Sequence, residues 1–198
     1  MPVTVDDQTL PAENLGLRTV GEVLNHLRQR NRLVVQVLVD GEEPDLTQIS
    51  ALRARPLGEH TVYIETTAPD ELAGQILREV TQQLEQTDAL RESAVGLLRQ
   101  NQPGRAMEKL AGCFVAWQSA QQSVQQIAEL MSIDLQGVRI DGESLADLLH
   151  KFAAQLRDLR QALENRDYVL LGDVLGYDTA DTTRQWIEAV RQLRDAIR

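Results

Sequence analysis

Three histidines (His26, His60 and His150), one cysteine (Cys113) and an Asp/Tyr-rich stretch from Asp167 to Asp178 carry the residue types best suited to chemistry in this 198-residue chain. The histidines fall in three different predicted elements. Metal ligands come in local pairs, because one helix turn or hairpin sets the bite, and no such pair occurs. Nor does the chain contain the Glu-x-x-His of a di-iron bundle; Glu22 and His26, four apart, stand by themselves. Cys113 adjoins Phe114 in an apolar helical run and reads as a small core hydrophobe, with Lys109 the one nearby cation able to favour a thiolate. A lone cysteine excludes an internal disulfide framework and a cysteine-based zinc cluster. Neither Gly-rich phosphate-binding motif is present. Asp167 and Asp173 are six apart and do not share a helix face, so Asp167 reads as an N-cap and Asp173 and Asp178 as solvated or tyrosine-bonded carboxylates, not an acid–base pair. These readings predict no catalytic, cofactor-binding or metal-ligating residue and no cofactor.

The remaining composition narrows the partner classes. Thirty acidic against twenty basic residues give a net charge of −10, spread along the chain. Without a Lys/Arg run to displace phosphate counterions, nucleic acid is not an expected partner, and with 4% aromatics there is no base-stacking platform. No apolar stretch approaches the roughly 20 residues needed to span a bilayer. The N-terminus lacks the basic start and apolar run of a secretory signal, so the expected setting is cytoplasmic, with no membrane association.

The elements that must position these residues change character near residue 68. Before it, short β-rich runs surround one helix. Val3-Thr4-Val5 is a brief strand. Thr19 and Glu22 have capping-box spacing ahead of a helix whose Val20, Val23, Leu24 and Leu27 recur at helical intervals. Leu33–Val39 is a strand closed by the turn signal Asp40-Gly41, and Thr61–Thr66 is another. The connection between those two strands reads as a polar loop carrying Arg53 and Arg55, which could contact an acidic partner.

This order, with Val39-Asp40-Gly41-Glu42 ending the central strand, resembles a β-grasp module of the sulfur-carrier branch of the ubiquitin-like superfamily. The resemblance covers residues 1–67. It implies a first hairpin, then one helix, then a central strand. Sulfur carriers and protein modifiers act through a free Gly-Gly tail, whereas here Ile64-Glu65-Thr66-Thr67 runs on into the helix start Ala68-Pro69-Asp70-Glu71. Sulfur transfer and conjugation are therefore not expected.

From Pro69 the chain reads as helices. Leu72, Ile76, Val80, Leu84, Leu90, Val95 and Leu98 form one apolar stripe, and Asn101-Gln102-Pro103-Gly104 breaks it. Met107, Leu110, Phe114, Trp117, Val124, Ala128 and Met131 keep a heptad rhythm on the next helix. Gln121 falls on the same face, either selecting register or partner number or turned towards solvent. After a second break, Ser144 caps a helix with Leu145, Leu149, Phe152, Leu156, Leu159 and Leu163 on one side. The final region, from Tyr168 to Ile197, is either one kinked helix or two, with weak spots at Gly176 and Thr179–Thr183. The expected fold is thus α+β: a small β-grasp-like module over 1–67, then an antiparallel bundle of about four helices over 69–198. Trp117 and Trp186 lie on apolar stripes and read as core, becoming binding anchors if exposed.

The stretch from Gly104 onward is similar to a family of uncharacterised bacterial helical proteins, encoded near motility genes in some bacteria. The shared features are Phe114 and Trp117 after a Gly turn, the segment Ile140–Leu145, and the run Asp167-Tyr168-Val169-Leu170-Leu171-Gly172-Asp173-Val174-Leu175-Gly176-Tyr177. The resemblance supplies no mechanism.

Together these observations predict a noncatalytic protein-binding adaptor or scaffold of unknown pathway, with Trp117, Gln121, Tyr168, Tyr177, Trp186, Arg53 and Arg55 as candidate partner-binding residues. Two alternatives remain: an export chaperone for a flagellar or secreted protein, and an enzyme in which Asp167 and Asp173 converge with His150. A homo-oligomer zipped along Leu72–Leu98 is also compatible with the pattern.

Overall fold

The structure is a computed structural model describing residues 3–140 and 142–197. Met1, Pro2, Asp141, Arg198 and the side chain of Leu46 lie outside the described residues, and with them the first two positions of the N-terminal module and the Asp141 of the Ile140–Leu145 segment. The chain is α+β, with a four-stranded sheet near its start and helices thereafter. It separates into two compact units, one through Leu72 and one from Ala73 onward.

In the first unit, β1 (Val3–Val5) and β2 (Gln8–Leu10) form a hairpin. Asp6 and Asp7, both left-handed with φ of 49° and 61°, supply its two-residue turn. A turn with positive φ at both central residues matches the twist of the strands, and aspartate tolerates that region better than most residues. α1 (Val20–Gln29) follows, with the reciprocal Thr19–Glu22 capping box formed. Glu22 also accepts from the Arg18 and Thr19 amides, and these bonds hold its carboxyl below its ordinary pKa.

β3 (Leu33–Val39) and β4 (Val62–Thr67) complete a sheet of order β2-β1-β4-β3, in which β1 runs parallel to β4 and the other pairs are antiparallel. A bulge between Val34 and Gln36 puts Val34 opposite Thr66 and Val37 opposite Ile64, so both valines share the face of the buried Ile64 although they are three apart. Val20, Val23 and Leu27 of α1 cover that face together with Val3, Val39, Val62 and Ile64.

The β3–β4 connection is not a plain loop. A 3-10 turn (Leu46–Gln48) leads into α2 (Ile49–Ala54), which buries Leu52 in the same core. Asp45 caps that turn through the Thr47 amide at 2.9 Å. The helix is too short for its period to stand out in the sequence. Gly21 is where α1 and α2 meet: a Cβ there would lie 2.8 Å from the Arg53 carbonyl oxygen.

The second unit contains α3 (Pro69–Arg99, whose first turn precedes the unit boundary), α4 (Pro103–Met131), a two-residue hairpin β5 (Arg139–Ile140) and β6 (Glu143–Ser144), then α5 (Leu145–Glu164). Ser144 caps α5 through the Asp147 amide. α6 (Tyr168–Asp173), a π turn (Val174–Asp178) and α7 (Thr179–Ile197) run on without a break, so the last region is one helix widened in its middle. Two glycines, Gly172 and Gly176, bring its start close to α3: a Cβ at either would reach within 4 Å of Leu98 or Val95. Buried Arg91 of α3 fastens the π turn, donating to the Leu175 carbonyl at 2.8 Å while bonding Asp88 at 2.6 Å. The carbonyl it takes up belongs to the one stretch where the regular i→i−4 ladder is interrupted.

Side chains link the helices in a ring. The Cys113 thiol of α4 faces the Thr87 carbonyl of α3, Gln121 of α4 donates to the Leu149 carbonyl of α5, and Arg191 of α7 pairs with Glu85 of α3. Through the centre runs a row of aromatic rings: Phe114, Trp117, Phe152 and Trp186, with successive centroids 5.7, 5.8 and 5.9 Å apart. The first two contacts are edge-to-face, which sets ring edges against π faces.

Candidate functional site

The most developed concavity involving a predicted site residue lies in the first unit. It is a cleft of about 340 Å³ between α1, β3 and α2. Its apolar lining comes from Leu24, Leu33, Val34, Val37, Ile49 and Leu52, and its polar rim from Asn25, Arg28, Arg32 and Arg53. The local sequence explains the arrangement. Leu24 and Arg28 are four apart and so share one side of α1. The β3 bulge turns Val34 and Val37 the same way. The short α2 sets Ile49 and Arg53 four apart along the opposite wall.

Two of the three arginines are held in place. Arg53 donates to Asn25 Oδ1 at 2.6 Å. Arg32 donates from Nε to the Thr66 hydroxyl at 2.8 Å and from Nη2 to Asp6 at 3.1 Å. Burial pushes the Asp6 carboxyl up, but the bonds from the Thr66 hydroxyl and amide, with Arg32, outweigh it and hold the pKa below 3.8. Asp6 therefore stays ionised and keeps Arg32 fixed at neutral pH. In a chain of net charge −10, this cleft gathers three of the six basic side chains of residues 1–72 around an apolar floor.

A second depression of about 240 Å³ follows β3, lined by Val34, Val35, Gln36, Val37, Glu43 and Pro44. β3 is the last strand of the sheet, and apart from a local bridge between Val39 and Glu42 no further strand pairs with it among the described residues. Val35, pushed out by the bulge, is 53% exposed. An open strand edge with outward N–H and C=O groups is a template for an added strand. The site can therefore hold an extended chain by its backbone, bury alternate apolar side chains, and attract carboxylates to its rim.

The residues singled out from the sequence distribute unevenly. Arg53 joins the cleft; Arg55 does not line it, and its backbone carbonyl instead accepts from the Val20 amide. Trp117 and Trp186 are at most 1% exposed, so neither is a surface anchor; the ring row of the core claims both. Gln121, half-buried, donates to the Leu149 carbonyl at 3.3 Å, a contact that fits register selection between α4 and α5. Tyr168 and Tyr177 are 37% and 64% exposed on α6 and the π turn. Arg28, Arg32, Asn25 and Ile49 were not read from the sequence as site residues. The spacing Arg28-Gln29-Arg30-Asn31-Arg32 was the available signal, but only the α1 exit and the start of β3 turn two of those arginines towards Arg53.

The groups weighed for catalysis stay apart. Asp167 caps α6 through the Leu170 amide at 3.0 Å, Asp173 and His150 are exposed, and no hydrogen bond or ion pair joins His150 to either carboxylate. Burial pushes the Cys113 thiol up to about 11. His60 pairs through Nδ1 with Asp40 at 2.7 Å; that bond and the Thr61 amide lower the Asp40 pKa. Among the described residues no group of three or more His, Cys, Asp or Glu is placed to hold a metal ion, and no helix is long and apolar enough to cross a membrane.

Comparison with known proteins adds kinship without chemistry. An uncharacterized protein of Treponema pallidum (strain Nichols) is 26% identical over 197 residues, which cover 96% of each chain. That similarity therefore extends across both units. No solved structure matches the chain. A family profile described as a domain of unknown function, DUF8042, matches residues 75–189, which take in α4, α5, α6 and most of α3 and α7, so the chain belongs to the DUF8042 family.

Proposed function

We propose that the protein is a noncatalytic adaptor whose first unit is a β-grasp-like module that captures an extended, acidic segment of a partner protein. The β-grasp reading is supported by the hairpin start, the parallel β1–β4 pair at the sheet centre and the helix laid across one face. The observation that carries the adaptor reading is the arginine-rimmed apolar cleft beside the open edge of β3. Strand addition would provide backbone hydrogen bonds, the floor would bury alternate side chains, and Arg28 and Arg53 would select for acidic flanks and against basic ones.

The test is affinity capture from a lysate of the source organism by the full chain and by Arg28→Glu/Arg53→Glu, with folding of both checked by circular dichroism. The reading expects one stoichiometric partner that the variant loses. A partner retained equally by the variant, or none on a folded bait, counts against it.

A further inference from the structure

The second unit carries an apolar surface of the opposite electrostatic character. Val169, Asp173 and Tyr177 succeed one another at four-residue intervals along α6 and the π turn, so they form one outward ridge. Val169 is 78% and Tyr177 64% exposed, and Leu170, beside the ridge, is 48% exposed. The opposite side is committed to the fold: Leu171 and Leu175 are fully buried, and Gly172 and Gly176 approach α3. Asp173 is exposed, and its carboxylate forms no hydrogen bond or ion pair with any described residue. Between Asp167 and Asp178 the sequence has three aspartates and no basic residue; Asp167 is taken up as the α6 cap, and the Arg99 guanidinium of α3 approaches at Gly176, so Asp173 is the carboxylate that stands on the ridge itself.

We propose that this ridge docks a basic amphipathic helix of a partner protein. A helix is the matching shape, because the ridge offers no open backbone edge for a strand and presents side chains at helical spacing for ridge-into-groove packing. Basic flanks are required by the unpaired carboxylate set among the apolar side chains. A second copy of this chain would bring its own aspartates against these, and an anionic membrane would repel them. The ridge lies within the matched residues 75–189, whereas the cleft lies outside them, so this surface is independent of the one proposed above.

The probe is a synthetic peptide of about 18 residues with leucine at helical spacing and lysine elsewhere, compared with a counterpart bearing glutamate for lysine. Binding to the full chain is followed by calorimetry and by amide chemical shifts. The lysine peptide is expected to bind and shift residues of α6 and the π turn. Val169→Ser/Tyr177→Ser and, separately, Asp173→Lys are each expected to weaken it about tenfold. Val115→Ser, at an exposed apolar residue of α4, serves as the control and is expected to bind unchanged. These positions are exposed, so the folds persist, as the fluorescence of buried Trp117 and Trp186 would report. Equal binding of the glutamate peptide, shifts confined to other surfaces, or an equal loss in the control would overturn the proposal. So would a dimer in sedimentation that Asp173→Lys alters, which would make the occupant a second copy.

Discussion

The two units solve burial differently, and the difference bears on what each can offer a partner. The first has Tyr63 as its one aromatic residue and a core of valines, leucines, one isoleucine and one alanine between a sheet and two short helices. Such a layer leaves a sheet edge and a cleft open by construction. The second closes a ring of helices around four aromatic rings and consigns its largest side chains to the centre. Its outer face keeps depressions of about 550 and 300 Å³, but its exposed apolar side chains gather on the ridge of α6 and the π turn. A cleft with a free strand edge suits an extended segment, and a ridge suits another helix.

The strongest way to break this comparison is to damage one core and watch the other. Trp186→Ala removes the end of the ring row and is expected to cost the second unit about 3–5 kcal/mol. Urea unfolding followed by Trp117 fluorescence should shift by that amount, while amide signals of Val23 and Val62 hold their midpoint. If both midpoints move together, the chain unfolds as one cooperative block and the units are not energetically separate. Trp186→Phe should cost less, because it keeps a ring against Phe152 and deletes a buried indole N–H that has no partner.

Arg91→Met tests the π turn. The substitution keeps the buried stem but removes the donor to the Leu175 carbonyl and the partner of Asp88, at an expected cost of about 2 kcal/mol. Hydrogen exchange should quicken first at Val174–Asp178. Binding of the lysine peptide should fall with it, since Tyr177 sits on that turn; unchanged exchange there would mean that Arg91 does not hold the turn.

Gly21→Ala makes the corresponding test in the first unit. In an exposed helix this change would stabilise by up to about 1 kcal/mol. Here the added Cβ meets the backbone oxygen of Arg53, which cannot swing aside as a side-chain tip could, so the sign reverses to a loss of about 1–2 kcal/mol. The displaced α2 would also move Arg53 from the cleft rim. A stabilised variant in thermal unfolding would show that the α1–α2 contact is looser than the structure has it.

These effects mark where the sequence was legible. Elements with strong periods and caps could be read directly: α1 from Thr19 and Glu22, β3 from its valine run, the long helices from their stripes. Short elements could not. β2 has three residues, two of them polar, and α2 has six, too few for a helical period to emerge. The cleft was harder still, because its arginines come from α1, the start of β3 and α2, and only long-range packing brings them together. Arg53 was read as a candidate, yet its neighbour Arg55 was indistinguishable from it in sequence. The placement of the tryptophans on apolar stripes already pointed inward, and burial then withdrew them as anchors. The apolar residues at 168–170 stood out against their aspartates, but which of them faced outward depended on the π turn that follows.

The smallest effect concerns acid, and it ties stability to the cleft. In the unfolded chain Asp6 titrates near its ordinary value of 3.8; in the fold it accepts from the Thr66 amide at 2.7 Å and hydroxyl at 2.6 Å and pairs with Arg32, which lowers its pKa. The unfolded state therefore binds more protons as the pH drops past 3.8, and the stabilisation present above that value is lost as the pH falls through the lower, folded one. Asp40, lowered by His60 and the Thr61 amide, acts in the same direction in the same unit. The aromatic row has no titrating group, so the Trp117 signal should outlast the amide signals of Thr66 and Val62 as the pH is taken from 6 to 3. Asp6→Asn should flatten part of that slope and free Arg32 from one of its anchors at neutral pH, weakening capture of the acidic partner by a few-fold. Loss of the tryptophan signal first would invert the comparison and make the helical unit the acid-sensitive one.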